Sequence, residues 1–198
     1  MESHGGYLCR LDSLDARTLV RLARRALPLE GITDRGEVSL LVSALPHRKV
    51  VRLAYDAAFT YGRRGARWYE GHHALARLIS RELGTPVHAY VLDVDDLEQV
   101  TSYGNGQQVG GERLRLEDAE LPDDVDLDTL DDLAFEALKE AWPLGHLARV
   151  YGVTREELVR MPRHARGVLI DLDAPQPFDL QSAEQLLPWS QSGVRRAI

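Results

Sequence analysis

The sequence predicts an α+β chain: N-terminal helices, then a small antiparallel β-meander, then C-terminal helices. Three observations predict it. Apolar residues recur at helical spacing through most of the first 85 residues. The period shortens to that of strands between Val87 and Leu116, around an Asn105-Gly106 dipeptide. Helical spacing then returns from Asp128. The 198 residues are 44% hydrophobic and 28% charged, the composition of a folded chain. They are expected to form one domain, with a helical lobe at 1–84 and an α+β lobe at 85–198 as its natural subdivision.

Residues 1–12 read as irregular. A helix is expected over 14–27, with Asp12 or Ser13 as cap, Pro28 beyond its end, and Leu19, Leu22, Ala23 and Ala26 inward. A second is expected over 34–45 on Val38, Leu41, Val42 and Leu45. A third follows Pro46 over 47–61, on Val50, Val51, Ala54, Ala57 and Ala58. A fourth fits 72–83, with Leu75, Leu78, Ile79 and Leu83 inward, Gly84 as C-cap and Pro86 after it.

Residues 87–92, 97–103 and 107–116 read as a three-stranded meander. Asn105 and Gly106 tolerate positive φ, which a tight hairpin requires, and Gly110-Gly111 marks a bulge. A helix is expected over 128–141, with Leu130, Leu133, Ala134, Ala137 and Leu138 inward. Two short helices follow at 144–151 and 154–161, and a last strand at 168–172.

Charge is the most informative functional feature. The net charge is −7. Residues 117–140 hold 11 acidic residues and 1 basic residue, a net of −10, so nearly all the imbalance sits there. Such a segment repels nucleic acid and attracts cationic proteins. The expected partner-binding residues are therefore Asp123, Asp124, Asp126, Asp128, Asp131 and Asp132, with Trp142 or Trp68 as an apolar anchor. Alternating carboxylates over 123–132 also suggest a calcium loop. But the sixth position from Asp124 is Thr129 rather than Gly, and the twelfth is Phe135 rather than Glu.

Other constellations have plain structural readings. Asp93, Asp95 and Asp96 suit a turn. The adjacent His72 and His73 point about 100° apart on a helix and cannot grip one metal. Arg17, Arg21, Arg24 and Arg25 line one helix face without an aromatic platform for bases. Cys9 is the single cysteine, which excludes an internal disulfide and a multi-cysteine metal site. No serine, cysteine or histidine spacing forms a catalytic signature, so no catalytic residue, metal or cofactor is expected. No apolar run approaches the roughly 18 residues of a membrane span. The start lacks a basic-then-apolar export pattern, so the expected compartment is the cytoplasm.

Residues 144–161 look like a helix-turn-helix pair, with Gly152 in the turn and Thr154-Arg155-Glu156-Glu157 as a capping box. This supports an alternative, a DNA-binding regulator using Arg155 and Arg160. Against it, the box puts two acids where a reading helix meets bases, and the preceding segment opposes phosphate.

The stretch from His73 to Gln107 contains Ser80-Arg81-Glu82-Leu83-Gly84 at a helix end, followed by a strand and the Asn105-Gly106 hairpin. It resembles small bacterial immunity-type proteins of polymorphic toxin systems. The resemblance brings no catalytic residues. It implies a non-enzymatic binder, and the acidic segment makes the expected mechanism the occlusion of a cationic toxin.

Overall fold

The computed structural model describes residues 4–10, 16–32, 39–44, 50–55, 73–93, 97–119, 132–159 and 167–172. A seven-stranded sheet, antiparallel throughout, lies at its centre, in the order β6-β5-β4-β1-β3-β2-β7. The strands are β1 (His4–Arg10), β2 (Ser39–Ala44), β3 (Val50–Tyr55), β4 (Val87–Asp93), β5 (Leu97–Gly104), β6 (Gln107–Arg115) and β7 (Gly167–Asp171).

The expected N-terminal helices are corrected here. The first forms as Ala16–Ala26, hereafter α1, and the fourth forms over Ala74–Leu83, but the two between them do not. Of the residues assigned to helices at 34–45 and 47–61, 39–44 and 50–55 form β2 and β3 instead, paired from Leu40↔Tyr55 to Ala44↔Val51, and the others lie outside the described residues. Helical spacing misleads because β3 is buried on both faces along all six residues. A strand of that kind is apolar without alternation, and a short apolar run fits either period. Residues 4–10, read as irregular, form the central strand β1, hydrogen-bonded to both β3 and β4. Gly6 serves close packing. A Cβ on Gly6 would lie 2.9 Å from the Leu53 carbonyl oxygen and 2.9 Å from Cε1 of Tyr90.

Each face of the sheet carries a helical layer. On one face, Tyr7, Cys9, Leu53, Tyr55 and Val87 pack under α1 and α2 (Ala74–Leu83). The inward stripe of α1 is Leu19, Leu22, Ala23 and Ala26, as its spacing predicts. On the other face, Leu8, Val50, Tyr90, Leu92 and Val100 pack under α4 (Pro143–Tyr151) and α5 (Arg155–Val159). The helix α3 (Asp132–Lys139) precedes them.

The turn and cap signals hold, while the bulge expected at Gly110-Gly111 lies one residue earlier. Gly84 ends α2 at φ 62°, and Asn105 and Gly106 turn the β5–β6 hairpin at φ 50° and 78°. The irregularity in β6 falls at Val109, because Ser102 faces Gly110 while Tyr103 faces Gln108. β7 joins β2 at the sheet edge opposite the meander. No helix among the described residues is long and apolar enough to cross a membrane.

Candidate partner-binding site

The acidic segment leaves the sheet at its exposed edge. After β6 the chain makes a short 3-10 turn over Leu116–Asp118, where Arg115 Nη1 bonds Glu117 Oε1 at 3.0 Å. Asp123, Asp124, Asp126, Asp128 and Asp131, expected to bind the partner, lie outside the described residues, as does Trp68. Asp132 is the first residue of α3.

α3 is a surface helix rather than a core one. Ala134 and Ala137, expected inward, are exposed, and Glu136 with them, while Phe135, Leu138 and Lys139 are half-buried. The inward face is set by Phe135, whose ring meets that of Trp142 edge-on with centroids 6.0 Å apart. Trp142, itself half-buried, therefore packs on Phe135 at the corner between α3 and α4. The corner is tight: a Cβ on Gly145 would fall 2.3 Å from the Glu140 carbonyl oxygen.

What holds the corner to the sheet is a buried ionic cluster. Glu98 of β5 is fully buried. Its Oε2 accepts from the Leu144 backbone N–H at 3.2 Å, satisfying the N-terminus of α4, where Trp142 provides no side-chain cap. Its Oε1 accepts from Nη2 of Arg155 in α5. The Nη1 of Arg155 lies 3.7 Å from Oε2 of Glu136 in α3. One carboxylate and one guanidinium thus join three helices to one strand. The sequence signal for Glu98 was weak: an acid among the apolar residues of a strand, at a position that alternation turns toward the helices.

The cluster also bears on the helix-turn-helix-like pair. The capping box at its turn forms, with Glu157 N–H to Thr154 Oγ1 at 3.1 Å and Thr154 N–H to Glu157 Oε2 at 2.9 Å. But α5 has five residues, and Arg155 is buried against Glu98 rather than presented to a groove. Arg160 lies outside the described residues.

The remaining candidates fall elsewhere. Arg17, Arg21, Arg24 and Arg25 are exposed on α1, across the sheet from α4. Arg21 bonds Glu82 of α2, and this bond, together with the Arg21 charge, holds the Glu82 carboxyl below its ordinary range. Arg24 Nε donates to the Leu172 carbonyl. A second buried carboxylate, Glu30, serves the α1–α2 layer much as Glu98 serves the other. It accepts from Tyr7 Oη at 2.5 Å and from the Leu75 N–H near the start of α2 at 3.0 Å.

His73 stacks on Tyr103 at the start of α2, whereas His72, Asp95 and Asp96 lie outside the described residues. Cys9 is fully buried, which pushes its thiol pKa up to about 12 and leaves it unreactive. His88 Nδ1 lies 2.8 Å from Ser102 Oγ on the neighbouring strand, and its ring is covered edge-on by Tyr151. Burial lowers the His88 pKa. Among the described residues no carboxylate bonds the second nitrogen of His88. No group of three or more His, Cys, Asp or Glu among these residues could hold a metal.

Neither the family models, nor the curated proteins, nor the solved structures offer a match to this chain.

Proposed function

We propose that this chain is a non-enzymatic binding protein that docks a cationic protein on its acidic 117–140 segment, as an immunity-type inhibitor in the cytoplasm. One observation carries the reading. The end of that segment, α3, stands on the surface and is tied to the α4–α5 side of the sheet, whereas the arginines of α1 lie on the opposite side. Across that distance the protein's own basic helix does not neutralise the acids of α3. Carboxylates on such a ledge steer an oppositely charged surface into contact and raise the association rate more than the final affinity. The resemblance over residues 73–107 supports the same class of function.

Affinity capture from lysate of the source cells tests the reading. Wild-type protein is compared with a variant carrying Asn at 123, 124, 126 and 128, with moderate and then high-salt washes. The expected result is one stoichiometric basic partner, retained at moderate salt, lost at high salt and absent from the variant. Capture of DNA, or of a partner indifferent to both salt and the substitutions, contradicts it.

A further inference from the structure

Lys139 is the single basic residue in the 117–140 segment. Its ammonium is held against the protein rather than extended into water. Nζ donates to Glu136 Oε1 at 2.6 Å and sits 4.2 Å from the centroid of the Phe135 ring. The Lys139 side chain is 16% exposed, against 57% for its partner Glu136. Behind Phe135 stands Trp142, at an interplanar angle of 86°, which fixes the ring in place. Arg155 approaches the other oxygen of Glu136 from the buried side, leaving Oε1 to the outer cation.

A ring face and a carboxylate oxygen converging on one point make a seat for a cation. We infer that Phe135 and Glu136, braced by Trp142, form the seat for an arginine of the docking partner, and that Lys139 fills it in the free protein as an internal stand-in. The inference rests on the docking reading above and names the contact at its centre. A guanidinium has the advantage over the resident ammonium: it is planar, stacks on an aromatic face, meets a carboxylate with two donors and is more weakly hydrated. Lys139 is held only by contacts within its own helix, three and four residues apart, a class of pair that contributes little. Once displaced, its flexible stem carries the charge into solvent.

The test titrates labelled nona-arginine peptide by fluorescence polarisation at one ionic strength. Five proteins are compared: wild type, Lys139→Gln, Phe135→Leu, the double variant, and the variant with Asn at 123, 124, 126 and 128. Lys139→Gln is expected to tighten binding roughly threefold, and Phe135→Leu to abolish that gain. An equal gain in the Phe135→Leu background would mean that only net charge had changed, and overturns the inference. No gain in either background overturns it too. Independently of how the ring variant folds, the aromatic carbon–proton signals of Phe135 should shift as Lys139→Gln binds the peptide, and unshifted signals at saturation overturn the inference. Failure of the docking reading looks different: the Asn variant then binds the peptide as tightly as wild type, whatever Lys139 does.

Discussion

Glu98 and Arg155, 57 positions apart in the chain, form an ion pair inside the protein whose side chains are 0% and 7% exposed. The pair joins the central sheet to the C-terminal helices, and the candidate docking corner depends on it.

Removing one partner leaves the other charge buried without compensation, which costs about 3–5 kcal/mol. Glu98→Gln is therefore expected to destabilise the protein by about that much in denaturant unfolding. Arg155→Met should do the same. The double variant should be less destabilised than the sum of the singles, because no lone charge remains. Additive losses would show that the pair is not coupled.

Gly145 sets the approach of α4 to the end of α3. A methyl group there meets backbone, the Glu140 carbonyl, which cannot turn aside as a side chain could. Gly145→Ala is expected to lower stability by about 1–3 kcal/mol, the usual range for overpacking, despite the gain in helix propensity. A stabilised Gly145→Ala protein would contradict the corner geometry.

Much of the local structure was legible in the sequence. Gly84, Asn105-Gly106, Gly152 and the Thr154–Glu157 box each satisfy a local backbone need, and each appears where its chemistry predicts. The central strands were not legible. Leu41 and Val42 fit a helical stripe as well as a strand, and only pairing with Val50–Tyr55 decides between them. Residues 4–10 show no strand pattern in sequence, and the close approach of Tyr90 to Gly6 from the next strand appears only in the fold. Of the expected site, Trp142 is half-buried, with its ring edge-on to that of Phe135. The buried link from Glu98 to Arg155 is a long-range contact that no spacing reveals.

Acid should weaken the fold through His88. Burial lowers its pKa, so the folded protein binds its proton less readily than the unfolded chain. The stability this preserves is complete above the ordinary histidine value of about 6.5, and is lost as pH falls from there through the lowered folded value. Unfolding midpoints should fall across that window, and His88→Gln should flatten the slope. An unchanged slope would remove His88 as the cause.

Thr154 caps α5 from its side chain. Thr154→Ala is expected to cost about 1 kcal/mol in thermal or denaturant unfolding, and Thr154→Ser to restore most of it. Equal loss in both variants would locate the effect elsewhere than the hydroxyl.

The most direct test of the docking account is the association rate of the captured basic partner, measured by stopped flow against ionic strength. The account predicts a rate that falls steeply with added salt for the wild-type protein and only shallowly for the variant with Asn at 123, 124, 126 and 128. Equal slopes for the two proteins would contradict it, and would move the partner's contact away from the 117–140 segment.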